Sequence, residues 1–184
     1  MKMEKIVMNA IINYPDTETE ELRFRFGTCS IGAVLVAASS KGVAAILLGD
    51  DRFGLGRELA RSFPDARLVL DDGGLEDMVA LVVRFLDAPH TGLDLPLDIR
   101  GSTLEQAVWR ALRKVPAGQT VTYGQIARTL SPPATAQEVG AACAANVLAV
   151  AIPCHRVVKA DGSIAGYRWG VQRKRKLINR EGVA

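Results

Sequence analysis

Thr122-Tyr123-Gly124-Gln125-Ile126-Ala127-Arg128-Thr129-Leu130 is followed by Ser131-Pro132-Pro133, and then by Ala134-Thr135-Ala136-Gln137-Glu138-Val139-Gly140-Ala141-Ala142-Cys143-Ala144-Ala145-Asn146. Ile126 and Leu130 stand one helical turn apart, so 122–130 reads as a helix with both side chains inward. Two consecutive prolines cannot continue it and force a turn. The spacing predicts a second helix over 134–146, and helix, tight turn, helix is the helix-turn-helix arrangement. This second helix is rich in Ala and Gly. Such a bare surface suits close packing on another helix, and composition alone favours that. It also suits insertion into the narrow minor groove of a nucleic acid.

Upstream, Ser102 or Thr103 can cap a helix with Glu105 or Gln106 three places on. Leu104, Ala107, Val108, Ala111, Leu112 and Val115 form its inward stripe, stopped by Pro116 and Gly118. Further upstream the pattern changes. Leu22–Phe26, Gly32–Ala38 and Val43–Leu48 are short apolar runs punctuated by Gly27, Gly32 and Gly42. They predict a small antiparallel sheet with a hairpin at Ser39-Ser40-Lys41-Gly42. Leu55–Phe63 and Leu75–Leu86 have helical spacing and are expected to cover one face of that sheet. Leu93–Ile99 reads as an extended connector. The expected organisation is a lead-in over 1–21, a sheet-and-helix domain of α/β (α+β) class over 22–98, and a mostly helical domain over 99–184.

Hydrophobic residues make up 48% and charged residues 23%, which excludes a disordered chain. No apolar run has the length of a membrane span and no secretory stretch follows the first residues, so neither a membrane partner nor secretion is expected. Three cysteines and two histidines with no CxxC pair argue against a disulfide framework and a structural zinc site. The expected compartment is the cytoplasm. Residues 101–184 carry 12 Lys and Arg against 4 Asp and Glu (+8), while residues 1–100 carry 11 against 16 (−5). A basic second half can hold a polyanion. The plainer reading is a solvated basic last helix with Arg173, Lys174, Arg175, Lys176 and Arg180.

Downstream, Ala149-Val150-Ala151-Ile152 leads into Pro153-Cys154-His155-Arg156-Val157-Val158. A cysteine beside a histidine suggests an activated thiol, since the thiolate is the nucleophile. Neighbours on an extended chain point to opposite faces, so a direct Cys154–His155 hydrogen bond is not expected. A kink at Pro153 and a bridging water are. The dipeptide alone is equally met by a buried cysteine next to a solvent-facing histidine.

The Pro153–Val158 hexapeptide resembles the active-site signature of the 6-O-alkylguanine-DNA alkyltransferases. The likeness extends to Ala144-Ala145-Asn146, Gly166-Tyr167-Arg168-Trp169-Gly170, Lys176-Leu177 through Glu181, Ile46–Asp51 and Leu95–Gly101, covering roughly residues 22–184. It is similar above all to the alkyltransferase part of bacterial adaptive-response regulators. The resemblance implies a ribonuclease H-like first domain and a winged helix-turn-helix second domain. It implies single-turnover transfer of an alkyl group from the 6-oxygen of guanine to Cys154, after minor-groove binding and base flipping, with the 4-oxygen of thymine as a second candidate donor. Cys154 matches the acceptor thiol and His155 the group that deprotonates it through water. Glu181 matches the carboxylate that orients the histidine, Asn146 the hinge asparagine, and Tyr123 the tyrosine beside the target phosphate and purine. Tyr167, Arg168, Val157 and Gly166 match the pocket around the flipped base. Ala136, Gly140, Ala144 and Arg128 fall on the DNA-binding side. Where the family usually has an inserting arginine, this chain has Gln137, which lacks the planar cation.

The resemblance implies no cofactor and no metal, alkylated double-stranded DNA as partner, and a monomer. Alternatives are a fragment of an adaptive-response transcription regulator, a lesion-binding protein with weak transfer, and a Cys-His hydrolase. The last would need an oxyanion hole that nothing in the sequence supplies.

Overall fold

The computed structural model describes residues 19–164 and 166–182. The expected lead-in over 1–21 lies mostly outside the described residues, but its last residue, Glu21, already opens the sheet. Strands β1 (Glu21–Cys29), β2 (Gly32–Ser39) and β3 (Gly42–Gly49) form an antiparallel meander, with Ser40 and Lys41 as the hairpin turn. Gly42 is required in this hairpin. Its φ is +143°, and a Cβ would lie 2.5 Å from the Pro96 carbonyl oxygen.

After β3 the chain forms helix α1 (Arg52–Ser62), capped by the Asp51 side chain, and then strand β4 (Arg67–Leu70). β4 pairs parallel to β1, giving the order β3-β2-β1-β4. The expected all-antiparallel sheet is therefore corrected to a mixed one. A helix between β3 and β4 returns the chain in its original direction, which is also the direction of β1.

Helix α2 (Glu76–Asp87) follows, and its exit leads back across the sheet to Leu97, which bridges Val43 of β3 in parallel. The two crossovers run in opposite directions over one sheet, and right-handed connections then place their helices on opposite faces. Side chains agree. A Cβ on Gly27 would lie 2.6 Å from Val79 of α2. The neighbouring Phe26, on the other face, lies under the Arg52 guanidinium of α1 at 5.6 Å. The expectation that both helices cover one face is thus overturned.

The outer edge of β3 is closed twice. Val43 N–H donates to Pro96 O and Asp98 N–H to Val43 O, at 2.8 and 2.9 Å. Ile46 N–H donates to Val147 O and Ala149 N–H to Ile46 O, both at 2.9 Å. The reactive segment of the second half is therefore stitched to the first half's sheet.

Helices α3 (Thr103–Leu112), α4 (Tyr123–Thr129) and α5 (Ala136–Ala145) make up most of the second half. Each opens with a capping box: Ser102 with Glu105, Thr122 with Gln125, Thr135 with Glu138. Trp109 of α3 is buried and donates through Nε1 to Ala142 O of α5 at 2.9 Å, fixing the angle between the two helices. Strands β5 (Val121–Thr122) and β6 (Val157–Val158) pair parallel, joining the start of α4 to the reactive segment.

The last helix, α6 (Val171–Gly182), corrects the reading of a solvated basic segment. Lys174, Leu177 and Glu181 are buried on its inner stripe. Arg173 donates to Ile31 O at 2.9 Å and Arg180 to Leu86 O at 2.5 Å, so these cations also tie α6 to the first half.

Candidate active site

Between Asn146 and Cys154 the chain reverses within a few residues. Ala151 N–H donates to Ala149 O at 2.7 Å and Cys154 N–H to Ile152 O at 2.8 Å, both tight three-residue turns. Val150, at the centre of the first, has φ +61°, a region β-branched residues avoid. Backbone strain of this kind persists only where surroundings hold it. Asn146 does so. It is fully buried, donates through Nδ2 to Ile152 O (3.0 Å) and Cys154 Sγ (3.2 Å), and accepts from Leu148 N–H through Oδ1 (2.8 Å).

Cys154, His155 and Arg156 form a single 3-10 turn after Pro153, so the expected kink is present. All three side chains are buried. His155 Nε2 lies 2.8 Å from Glu181 Oε1. Arg156 donates to both Glu181 oxygens, at 2.9 and 2.8 Å. Burial alone would raise the Glu181 carboxyl, but the His155 and Arg156 hydrogen bonds outweigh it and bring it down to about 2. Burial pushes His155 below its ordinary value of 6.5, against the pull of Glu181. A neutral imidazole facing a carboxylate must carry its proton on Nε2. Nδ1 then presents a lone pair, and it is buried with no hydrogen-bond partner among the described residues.

Burial pushes the Cys154 thiol up, while the Asn146 hydrogen bond and the Lys174 charge oppose it. Lys174 is fully buried and donates to Gly166 O at 3.4 Å. Reading the sequence does not single it out as a site residue. The signal that could have found it is a lysine in register with Leu177 and Glu181 on the inner face of α6.

Cys154 opens onto a cavity of about 330 Å³ lined by Tyr123, Gly140, Cys143, Ala144, Gly166, Tyr167 and Arg168. Burial and the neighbouring thiols raise the Tyr123 phenol to about 12, so it stays protonated as a donor at neutral pH. The Tyr167 hydroxyl is buried without a partner among the described residues, and its ring meets Trp169 edge-on at 5.2 Å. Cys143 is buried and forms part of the cavity wall. Val157 is fully buried in β6, paired with Val121, and does not line the cavity. Ala136, Gln137 and Ala144 are exposed on α5, and Gly140 is half-buried against the Tyr123 ring. Arg128 is exposed on α4.

The 6-O-methylguanine DNA methyltransferase DNA-binding domain family matches residues 103–183. The bifunctional transcriptional activator/DNA repair enzyme Ada of Escherichia coli is 47% identical over 164 residues, 89% of this chain and 46% of Ada. The inducible methylated-DNA–protein-cysteine methyltransferase of Bacillus subtilis is 37% identical over 66% of this chain and 68% of its own length. Among solved structures, Mycobacterium tuberculosis OGT in complex with DNA superposes with a TM-score of 0.74 at 29% identity, covering 88% of this chain and 93% of that one. Fold and site define a protein with a buried cysteine, Cys154, at the wall of a cavity and beside a histidine–carboxylate pair. The chain belongs to the methylated-DNA–protein-cysteine methyltransferase family. It spans less than half the length of Ada.

Proposed function

We propose that this chain repairs alkylated duplex DNA by moving the alkyl group from the 6-oxygen of guanine onto Cys154 Sγ. The observation that carries this reading is His155, next to Cys154 on one turn, paired through Nε2 with Glu181 of α6 and left with a buried Nδ1 that has no partner among the described residues. The thiol proton passes to Nδ1 through a water, which fits neighbours that do not bond directly. Sγ then attacks the alkyl carbon, the carbon–oxygen bond breaks, and its electron pair goes to the guanine. The protonated Tyr123 supplies a hydrogen to the leaving base. A thioether is inert to the thiol, imidazole and phenol groups around it, so each molecule acts once.

The target carbon is buried in a duplex, so the base must leave the stack and enter the cavity beside Cys154. The helix-turn-helix of α4 and α5 presents a nearly bare surface at Ala136, Gly140 and Ala144, which supports minor-groove docking. We read this half, from residue 99 onward, as a winged helix-turn-helix and residues 22–98 as ribonuclease H-like. We place the protein in the cytoplasm as a monomer. Gln137 stands where an arginine would enter the gap left by the base, so extrusion is weaker here than with a cation.

The test is intact mass after incubation with a duplex carrying 6-O-methylguanine. Wild type should gain one methylene's mass on Cys154 and Cys154→Ala none. Uptake by Cys154→Ala would sink the assignment.

A further inference from the structure

Arg168 lines the cavity, and its guanidinium also reaches the first half of the chain. Nε donates to Glu58 Oε1 at 2.8 Å, Nη2 to Ser62 Oγ at 3.4 Å, and Nη1 to Ala144 O at 2.9 Å. Glu58 and Ser62 stand one turn apart on α1, while Ala144 lies in the last turn of α5. A carbonyl in that last turn has no partner within its own helix and carries the negative end of the helix dipole, so a cation satisfies it twice over. One planar side chain thus joins three elements, and two of its neighbours in this arrangement, Ala144 and Gly166, are walls of the cavity facing Cys154.

We infer that Glu58 is a positioning residue for the alkyl pocket. By holding Arg168 it fixes the 166–169 wall against the end of α5, and so sets the width of the opening above Cys154. This deepens the reading of the site as an alkyl acceptor and rests on it for its meaning. It gives the first half of the chain a part in selecting the alkyl group. The guanidinium's fork of donors is held at three points, Glu58, Ser62 and Ala144, and Glu58 is the charged one, so the angle of the side chain is fixed as well as its position.

The pocket width is read without DNA. Wild type, Glu58→Ala and Glu58→Asp are treated with methyl methanethiosulfonate and with its benzyl counterpart. In each case Cys154 Sγ bonds to the reagent sulfur and the methanesulfinate leaves. Peptide masses separate Cys154 from Cys29 and Cys143. In Glu58→Ala the benzyl-to-methyl rate ratio at Cys154 should rise about fivefold or more, since a small misplacement of a wall changes reactivity steeply. Glu58→Asp should recover most of the wild-type ratio. An unchanged ratio in Glu58→Ala overturns the inference. So does an equal change with both reagents, which marks Glu58 as merely structural. Failure of wild type to take up methyl from DNA would defeat the proposed function, whereas the benzyl-to-methyl ratio still tells whether Glu58 sets the opening.

Discussion

Glu181 Oε1 accepts from both His155 Nε2 and Arg156 Nη2, each at 2.8 Å, so one carboxylate orients the imidazole while a neighbouring guanidinium neutralises it. Removing the carboxylate takes away the group that fixes the imidazole tautomer. Glu181→Gln should slow alkyl transfer about 10- to 100-fold, as losses of an orienting carboxylate do. Because Glu181 raises the histidine's proton affinity, its loss should also move the acid limb of the rate profile to lower pH. Single-turnover rates across pH test both. An unchanged limb would remove Glu181 from the relay.

Stability should fall on acidification. His155 is held below 6.5 in the fold, so the unfolded chain binds that proton more readily. Its contribution is complete above 6.5 and is lost as pH falls through the lower folded value. Glu181, lowered from 4.5 to about 2, contributes fully above 4.5 and loses its contribution as pH falls toward 2. Melting temperatures should be level above neutrality and drop below pH 6.5, with a further decline below 4.5 that is smaller in Glu181→Gln, where Glu20, Asp71 and Asp98, also held down, still titrate. A rise in Tm between pH 7 and 5 would contradict this.

Asn146→Ala should leave Leu148 N–H buried and unpaired beside the strained Val150, while Ile152 O loses one of its two donors and keeps Cys154 N–H. A loss of about 1–3 kcal/mol is expected, with a fall in transfer rate. Urea unfolding measures the first. A change below 1 kcal/mol, on the scale of about one ordinary net hydrogen bond, would show that the loop holds itself.

Lys174→Met keeps the buried stem and deletes the cation that opposes the rise of the Cys154 thiol. Alkylation of Cys154 by iodoacetamide at pH 7 should slow several-fold, because less of the thiol is ionised. Stability should hold or improve, because replacing a buried charge by an apolar side chain of similar volume often does so. Unaltered Cys154 reactivity would assign Lys174 to packing alone.

Gln137→Arg adds a cation to an exposed position on α5 without touching the core. Duplex affinity and methyl-transfer rate should both rise, and the salt dependence of binding should steepen by about one phosphate contact. Fluorescence anisotropy at several salt concentrations measures this. If neither affinity nor rate moves, the insertion role of this position is lost.

Helices α4 and α5 and the short turn between them are legible in the sequence because their signals are local: Ile126 and Leu130 set the period, and Pro132 and Pro133 end the first helix. The first capping box is legible for the same reason. Cys154 and His155 stand out only as a dipeptide, and the resemblance supplies Glu181 and Asn146. The rest depends on contacts that sequence spacing does not encode. β4 is four residues long and finds its partner through a crossover. Lys174 looks solvated beside Arg173 and Arg175 until the inner stripe of α6 is followed through Leu177. Arg168 meets Glu58 across 110 residues, and nothing near either one announces it.

The doubly closed margin of β3 bears on how this chain can be cut. Pro96–Asp98 shields one end of that strand, and Val147–Ala149 shields the other. A piece ending near residue 100 keeps the first shield and forfeits the second, baring the backbone of Ile46 beside apolar flanks. Naked strand margins recruit further copies by side-to-side pairing. Such a piece should sediment as a broad distribution of assemblies where the intact chain stays uniform. A sharp, small species would mean that the two halves part more cleanly than their shared seam implies.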